Sequence, residues 1–344
     1  MSADIKMIPV EQAIGTVLCH DMTRITENEK TVRFRKGHVI KAEDIPLLLA
    51  MGKERIYIWE KPAGTLHEDE AAEILAALCR GDNIGRQGPR EGKIELFAQI
   101  NGVFEYDAGV LARINEIDGL AVAARHPHTP VKTGDKLAGM KAVPLIIEEE
   151  KLRRAENLAG VAPLMKVFPY VLKRAAVITT GNEVAKGRIQ DAFTPALVKK
   201  LAAWDISVST HITVPDGIDR VTGAIAEALR SAPELILCTG GMSVDPDDNT
   251  PGAIKQSGAS IVTYGAPVMP GVMFLLGYFD NGVPVLGLPA CVMYAGATIF
   301  DLVLPRIAAG LRLSRQDFTR MGAGGLCLSC PRCCYPVCPF GRGT

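Results

Sequence analysis

TGGMSVDPDDNTP, residues 239–251, follows a short apolar run at residues 235–237 and precedes a helix-like stretch. A Gly-Gly turn directly after a strand lets the backbone come close to a ligand, because no Cβ stands in the way. Ser243, three aspartates and a predicted helix start follow this turn. Such a combination can hold a phosphate and a hard cation together. The stretch therefore predicts an anion and cation site at the end of a strand.

Strands and helices alternate on both sides of this stretch. Short apolar runs predict strands at residues 175–179, 208–214, 234–238, 261–264, 274–278 and 284–288. Helical patterns occupy residues 194–204, 219–230 and 290–304. Thr194-Pro195 and Thr250-Pro251 each place a capping residue before a proline that suits the first helical turn. The run at 175–179 is continuously apolar up to its last residue, Thr179, which is typical of a parallel strand covered on both faces. We therefore predict a doubly wound α/β domain over residues 165–312.

The chain outside this domain has a different pattern. Residues 1–62 predict a small β-rich unit that contains one helix at 42–52. Residues 63–92 predict an amphipathic helix followed by a linker rich in Gly, Pro and Arg. Residues 93–150 predict a small β-barrel-like unit, and a charged helix starts at its end. Residues 313–344 form a cysteine-rich tail.

Composition excludes several classes of function. The chain has 38 basic and 38 acidic residues and only 6% aromatic residues. It therefore lacks the basic stripe and stacking surface that a nucleic-acid partner requires. Residues 1–15 contain no apolar segment typical of a signal peptide. The uncharged run at 283–300 is interrupted by Pro284, Gly287 and Pro289, which favours a buried strand, turn and helix over a membrane span. We expect a cytoplasmic protein.

Ligands bind outside the carboxyl ends of the strands in open α/β sheets. Two further glycine turns fall at such places, at residues 179–184 and 287–292, and a Pro-Gly turn at 268–274 is nearby. The candidate ligand-binding residues of the four turns are Thr180, Gly181, Asn182, Gly240, Gly241, Ser243, Pro270, Gly271, Gly287, Leu288 and Pro289. Each turn alone is also explained as an ordinary Gly and Asp turn. Their joint placement along one sheet favours a site.

Carboxylates in these turns are candidates for Mg²⁺, which prefers few carboxylates together with phosphate and water oxygens. The candidates are Asp245, Asp247, Asp248 and Glu183. Cys291 begins a predicted helix beside the same turns, where a thiolate would be stabilised. Cys19, Cys79 and Cys238 are predicted to be small buried hydrophobic residues.

The tail reads C-x2-C-x2-C-C-x3-C-P and contains Cys327, Cys330, Cys333, Cys334 and Cys338. This spacing approaches the bacterial ferredoxin pattern without matching it. Thiolates at this density can bind Zn²⁺ or an iron–sulfur cluster. Redox thiols and a disordered tail are the alternatives. His126 and His128 could share a metal, although a solvated loop explains them equally well.

Residues 173–310 resemble the molybdopterin-binding domain shared by molybdopterin molybdenumtransferases, gephyrin's E domain, molybdopterin adenylyltransferases and the competence-damage-inducible family. The order of motifs is TTGNEV, then Gly187 and Asp191, then Asp216, then Gly240, Gly241, Ser243 and Asp248, then Pro270-Gly271, then residues 287–289. Residues 35–59 also resemble a segment of the molybdenumtransferases, which favours that branch.

This resemblance implies that molybdopterin or adenylylated molybdopterin binds against Gly240, Gly241 and Ser243. Mg²⁺ would bridge the phosphate to Asp248, with Asp245 or Glu183. Asp248, Ser243 and Glu183 are then the catalytic candidates for placing molybdate onto the dithiolene. The family's habit also implies a homodimer, and a molybdoenzyme is the expected client.

Several departures from the family pattern leave alternatives open. Asn182 replaces an aspartate, and Met269 and Val272 flank the Pro-Gly turn where lysines are usual. Ala290-Cys291 stands where the family has Gly-Asn, and the N-terminal DGYA-type motif is missing. A non-catalytic cofactor carrier or sensor is therefore one alternative. A nucleotide pyrophosphatase of the competence-damage-inducible type is another, suggested by the Asp247-Asp248-x-Thr250 pattern.

Overall fold

The computed structural model describes residues 7–25, 30–58, 63–243, 245 and 248–342. The chain divides into two compact units. The first unit contains Met1–Ile100, Phe104–Pro127 and Lys132–Val167, and the second contains Asn101–Val103, His128–Val131 and Phe168–Thr344. Asp247 and Trp59, the last residue of a predicted strand, lie outside the described residues.

The chain up to residue 169 is rich in short strands. In order, its elements are β1 (Met7–Pro9), β2 (Met22–Ile25), β3 (Lys30–Phe34), α1 (Ile45–Ala50), β4 (Arg55–Tyr57), β5 (Thr65–His67), α2 (Glu68–Cys79), β6 (Ile84–Arg90), β7 (Lys93–Ala98), β8 (Gly102–Glu105), α3 (Ala108–Asn115), β9 (Leu120–Ala124), β10 (Thr129–Val131), β11 (Lys136–Ala142), β12 (Ile146–Glu148), α4 (Glu149–Ala159) and β13 (Lys166–Pro169). Strand β1 pairs with β4, β2 with β3 and β5 with β12, all antiparallel. Val10, Leu18, Phe34 and Leu48 form a small core around the first of these strands.

Two predictions for the first unit were wrong. The supposed linker at 81–92 contains β6, the outer strand of a sheet with the order β6-β7-β11-β9. Pro89 is tolerated there because an edge strand does not need every N–H for the ladder. The supposed barrel is this open antiparallel sheet, against which α2 packs along β7 and β11. Because 81–92 is rich in glycine and proline, its sequence did not indicate a strand. The sequence between 93 and 150 did not show whether the strands close into a barrel or form an open sheet.

The second unit alternates strands and helices as predicted. Its elements are β14 (Arg174–Thr180), α5 (Asn182–Ala185), α6 (Phe193–Ala202), β15 (Ser207–Val214), α7 (Ile218–Arg230), β16 (Leu235–Thr239), α8 (Thr250–Gln256), β17 (Ser260–Tyr264), β18 (Leu275–Tyr278), β19 (Pro284–Leu288), α9 (Ile299–Ala308) and α10 (Arg315–Arg320).

Six strands form one sheet in the order β15-β14-β16-β19-β18-β17. The first four are parallel, and β18 runs antiparallel to both of its neighbours. Leu197 and Phe300 bring α6 and α9 into the core on one face of the sheet. Ile225 and Ile254 bring α7 and α8 into the core on the other face. Helices on both faces confirm the predicted doubly wound α/β class, with the switch of strand order beside β14 and β16.

Helix starts differ from the sequence predictions in two places. Thr194 does not cap α6, because Asp191 Oδ1 accepts the backbone N–H groups of Phe193 (2.8 Å) and Thr194 (3.1 Å). The residue before α8 is Asn249, and Thr250 is already helical. Aspartate is at least as good a cap as threonine and can reach two orphan N–H groups, so the local pattern placed the start of α6 too late.

The predicted helix at 290–304 is interrupted. Ala290–Met293 form a 3-10 turn, and α9 begins only at Ile299, capped by Thr298. Small residues occupy the gap, and a Cβ added to Gly296 would lie 2.9 Å from Cys333 Cβ. Gly296 thus packs closely against the tail, and no pattern local to 290–304 shows this long-range contact. Among the described helices, none has the length and apolar character that a membrane span needs.

Asp317 links α10 to α9 and makes stability depend on pH. Its Oδ2 accepts from Ser314 N (2.7 Å), and Arg306 donates to Oδ1 (2.8 Å). Burial alone would raise the pKa of Asp317, but the hydrogen bonds from Ser314 and Arg306 outweigh it and lower the pKa from 3.8 to about 2. Because the folded pKa is below the unfolded one, the stabilisation is present above about pH 4 and is lost as the pH falls towards 2.

We therefore expect Asp317→Asn to lower the free energy of unfolding by about 2 kcal/mol at pH 7 and by about 1 kcal/mol at pH 3. Urea unfolding at the two pH values measures the difference. Asp219→Asn, on α7, is the control and should show no such pH dependence. An equal loss for Asp317→Asn at both pH values would contradict the assignment.

Candidate functional site

A cavity of about 450 Å³ opens at the carboxyl ends of β16 and β19. The loop after β16 contributes Gly240, Gly241, Ser243, Asp245 and Asp248 to its walls. This position is the one expected for a ligand site in an open α/β sheet. The cavity is called the glycine-loop cavity below.

Two other predicted turns reach the same cavity. Gly271 from the Pro-Gly turn and Leu288 and Pro289 from the end of β19 line it. Residues of three separate turns therefore meet, although they are far apart in the sequence. Phe193 and Tyr294 complete an apolar side that the sequence did not indicate.

Gly240 and Gly241 are required by the shape of the loop. Both have left-handed backbone angles, with φ of +84° and +56°. A Cβ on Gly240 would lie 2.3 Å from Thr180 O, and one on Gly241 would lie 2.9 Å from Thr250 Oγ1. The hydroxyl of Thr250 donates to Gly240 O at 2.8 Å and fixes the turn against α8. The loop backbone can therefore approach both β14 and a ligand closely.

The loop after the glycines is held by its own polar groups. Asp248 Oδ2 accepts from Asp245 N at 3.0 Å, and Asp248 N donates to Asp245 O at 2.9 Å. The hydroxyl of Tyr264 donates to Met242 O at 3.1 Å. Burial and then the charge of Asp248 raise the pKa of Tyr264, so this hydroxyl stays protonated and able to donate. Asp248 therefore positions the loop with one oxygen and bears its charge at the cavity wall.

The first predicted turn lies beside the cavity and not in its wall. Of the described residues that line the cavity, none is Thr180, Gly181, Asn182 or Glu183. Asn182 N donates to Asp216 Oδ2 at 2.9 Å, which ties this turn to the loop after β15. Thr180 Oγ1 is buried and has no hydrogen-bond partner within the described residues. A buried hydroxyl without a partner next to a glycine turn is unusual and points to a missing polar group.

Two more predicted residues lie outside the walls of the glycine-loop cavity. Pro270 lines a different cavity, formed with the cysteine tail. Gly287 is within β19, where a Cβ would lie 2.5 Å from Met242 Sδ. Gly287 thus makes room for the side chain behind the glycine loop, so its role in the site is indirect.

A polar network that the sequence analysis missed lies at the end of β14. Asp191 Oδ2 accepts from Thr194 Oγ1 at 2.5 Å and lies 3.3 Å from His211 Nε2. Thr179 Oγ1 donates to the same carboxylate at 3.1 Å. Burial alone would raise the pKa of Asp191, but hydrogen bonds from Thr194, Phe193 and Thr179 outweigh it and lower the pKa. Asp191 is one of the motif residues that resemble the molybdopterin-binding family. His211 could not be recognised from its local sequence, because its partner Asp191 lies on another part of the chain.

The charge of the glycine-loop cavity is negative. Asp245 and Asp248 face it, and no lysine or arginine is among the described residues that line it. The described residues also contain no group of three Asp, Glu, His or Cys side chains that converges on one metal position. Water and ligand oxygens would therefore have to complete a cation site here, as is usual for Mg²⁺.

Cys291 does line the cavity, but its expected reactivity is wrong. It belongs to the 3-10 turn and not to the start of an α-helix. Burial raises the pKa of the Cys291 thiol above its usual value. The thiol form is therefore favoured, and a stabilised thiolate is not. Cys19, Cys79 and Cys238 are buried as predicted, with burial also raising the pKa of each thiol.

The tail cysteines meet in a second cavity of about 270 Å³. Cys327, Cys330, Cys333, Cys334 and Cys338 all line it. His126 and His128 belong to no three-ligand group among the described residues.

Residues 176–309 match the family model described as "Probable molybdopterin binding domain", and residues 7–60 match the "Domain of unknown function (DUF8806)". The CinA-like protein of Desulfosudis oleivorans is 34% identical over 83 residues, which are 24% of this chain and 20% of that protein. The molybdenum cofactor biosynthesis bifunctional protein of Synechococcus elongatus is 34% identical over 105 residues, which are 30% of this chain and 31% of that protein. The chain thus spans about a fifth to a third of the length of the curated relatives it matches.

Two solved structures also match only part of the chain, about two fifths of its length. The tungsten cofactor synthesizing protein MoaB from Pyrococcus furiosus is 21% identical and covers 42% of this chain and 98% of its own, with a TM-score of 0.35. The protein CinA with unknown function from Thermoplasma acidophilum is 19% identical and covers 40% of this chain and 98% of its own, with a TM-score of 0.34. Residues 176–309 are thus similar to a probable molybdopterin binding domain, by the family model that matches this part of the chain.

Proposed function

We propose that this chain binds molybdopterin, or its adenylylated form, in the glycine-loop cavity and places molybdate onto the dithiolene with the help of Mg²⁺. One observation carries the proposal. The cavity combines a glycine turn that only glycine can form with two carboxylates, and its described walls hold no basic residue. A phosphate can bind beside these carboxylates only if a cation neutralises them.

Different residues of the glycine-loop cavity would bind the phosphate and the pterin ring. The backbone of Gly240 and Gly241 approaches the phosphate, and the hydroxyl of Ser243 is able to donate a hydrogen bond to it. Phe193 and Tyr294 supply an apolar wall for the pterin ring. A volume of about 450 Å³ lies within the range of small-molecule sites.

Asp248 and Asp245 would hold the magnesium ion. Both line the cavity, whereas Glu183 does not, so we assign the cation to the two aspartates. The oxygen donors suit Mg²⁺, and one oxygen of Asp248 is already used to fix the loop. When bound, Mg²⁺ would act as a template and Lewis acid for the molybdate transfer. Through that ion Asp248 would orient the phosphate, and Ser243 would donate a hydrogen bond to it.

Two measurements test the two halves of the proposal. Isothermal titration with molybdopterin tests binding, and the absence of heat with and without Mg²⁺ overturns the whole proposal. Activation of an apo-molybdoenzyme that depends on added molybdate tests the transfer. Gel filtration with light scattering tests the homodimer that the family's habit suggests.

A cofactor carrier or sensor is the second candidate function. It is favoured by the absence of a basic residue among the described walls of the cavity and by Asn182 in the first turn. Retained binding of molybdopterin without molybdate-dependent activation would select it. A nucleotide pyrophosphatase is a further candidate, supported by the CinA-like relatives. Release of AMP from ADP-ribose would select that activity.

Thr180 gives a prediction that separates binding from stability. Because its buried hydroxyl has no partner in the described residues, Thr180→Val should leave the free energy of unfolding unchanged or raise it by up to about 1 kcal/mol. We expect an ordered water between the ligand and Thr180 to satisfy this hydroxyl from behind the cavity wall, so the same change should weaken molybdopterin binding about tenfold, a loss of about 1.4 kcal/mol. Urea unfolding and titration calorimetry measure the two effects.

Thr263→Val is the matched control. Thr263 is also buried, but its hydroxyl donates to Gly265 O at 2.6 Å. Its replacement should cost about 1–3 kcal/mol of stability and leave ligand affinity unchanged. If Thr180→Val destabilised the fold as much as Thr263→Val, Thr180 would be an ordinary structural residue.

A further inference from the structure

The five tail cysteines enclose one cavity, although they are spread over irregular chain without helix or strand. The cavity of about 270 Å³ is closed on its other side by Pro270 and by Ala295, Gly296 and Ala297. Leu326 and Phe340 add apolar surface. Side chains of Asp, Glu and His are absent from its described walls. The donors available there are thus sulfur atoms in a largely apolar setting.

The tail is held in place by bonds to the α/β domain. Met269 N donates to Gly325 O, and Cys327 N donates to Met269 O, both at 2.8 Å. The hydroxyl of Tyr335 donates to Asp301 O at 2.8 Å, between the tail cysteines and α9. Phe340 is only 4% exposed. These contacts order the tail, so the cysteines face the cavity because the surrounding chain places them there.

The arrangement suits a polynuclear centre better than a single ion. Among the described residues, no three Cys, His, Asp or Glu side chains converge on one metal position. The five cysteines surround a hollow instead. A single tetrahedral ion needs its sulfurs at one short distance from a point, whereas an iron–sulfur core fills a volume and holds its thiolates further apart.

The charge of the tail and the spacing of its cysteines also favour a polynuclear centre. A cluster held by four thiolates is anionic, and the tail from 327 to 342 contains Arg332 and Arg342 but no acidic residue. Arg342 Nε donates to Cys338 O at 3.2 Å, close to one candidate ligand. Cys327, Cys330 and Cys333 have the C-x2-C-x2-C spacing of cluster-binding chains, and Cys338 precedes a proline as in those chains, but follows Cys333 after four residues where those chains have three.

We propose that Cys327, Cys330, Cys333 and Cys338 bind an iron–sulfur cluster of the [4Fe–4S] type in this cavity. Each thiol gives up its proton as it ligates iron. Cys334 stays outside the ligand set. Cys334 also lines the cavity, but its Sγ donates to Arg332 O at 3.4 Å, and this backbone oxygen engages its thiol.

The test uses the full chain, purified anaerobically and reconstituted with sulfide and with equal amounts of ferrous and ferric iron, which together match the oxidation level of a [4Fe–4S]²⁺ core. We expect about four iron and four labile sulfide per chain, with broad visible absorption. Cys330→Ser should lose most of the iron and of the absorption. Cys334→Ser is the matched control and should retain both. Cys330 and Cys334 are both exposed, so circular dichroism should show an unchanged fold for both variants.

Three results would overturn the proposal. The first is a reconstituted chain that holds no iron. The second is a chain that takes up about one zinc in place of iron, which would make the centre a mononuclear site. The third is an equal loss of iron in Cys334→Ser and Cys330→Ser, which would mean that the assigned ligand set is wrong.

Discussion

Replacing Asp248 with asparagine should remove the effect of magnesium on molybdopterin binding. The described walls of the glycine-loop cavity contain two carboxylates and no basic residue. For the wild type we therefore expect Mg²⁺ to strengthen binding at least about tenfold, which corresponds to about 1.4 kcal/mol. In Asp248→Asn the main ligand of the cation is lost, so affinity with Mg²⁺ should fall by that factor.

The same substitution has the opposite expected effect without magnesium. The amide oxygen of an asparagine can still accept the hydrogen bond from Asp245 N that shapes the loop. The negative charge facing the phosphate is gone, so Asp248→Asn should bind at least as tightly as the wild type in EDTA. Titration calorimetry in the two buffers measures this crossover. Asp219→Asn, on α7 and outside the cavity walls, is the control. An equal response of Asp248→Asn and the wild type to Mg²⁺ would show that Asp248 does not hold the cation.

Replacing Gly240 with alanine should damage both ligand binding and stability. The new Cβ would lie 2.3 Å from Thr180 O and 2.7 Å from Thr180 Oγ1. Thr180 O is backbone at the end of β14, so the loop itself has to move. A displacement of about 1 Å at a binding site can cost about 100-fold, and we expect that loss of affinity. The left-handed backbone and the clash together should lower the free energy of unfolding by about 3 kcal/mol.

Gly258→Ala separates backbone strain from the clash. Gly258 also has a left-handed backbone, with φ of +92°, but a Cβ there would meet nothing within 4 Å. It lies in the turn before β17, an edge strand that is separated from β16 by β19 and β18 in the sheet. This variant should lose about 1–2 kcal/mol of stability and bind molybdopterin normally. Wild-type affinity in Gly240→Ala would mean that the glycine loop does not contact the ligand.

The α/β core could be predicted from the sequence because its signals are local. The apolar run of β14, the periodic pattern of α7 and the Thr250-Pro251 signal of α8 each indicate their own element. The order of these elements along the chain then restricts the sheet to a doubly wound form. For the same reason, Gly240, Ser243 and Asp248 could be placed at the end of β16 from the sequence alone.

The remaining features depend on contacts between distant residues. Cys333 packs against Gly296 within the break before α9, and the edge position of β6 explains how Pro89 fits in a strand. His211 meets Asp191 only because β15 lies beside β14. Patterns within a short window contain no information about such pairs. The turn that contains Thr180 was predicted to line the site because a short stretch of sequence does not show which turns share a cavity wall. In the structure this turn lies behind the wall.

Calorimetric titration of the wild-type chain with molybdopterin, with and without Mg²⁺, tests the central claim most directly. The account predicts binding in the presence of Mg²⁺ and affinity at least about tenfold weaker in EDTA. No binding in either buffer would contradict the assignment of the cavity to molybdopterin. Equal affinity in both buffers would contradict the role given to Asp248 and the cation.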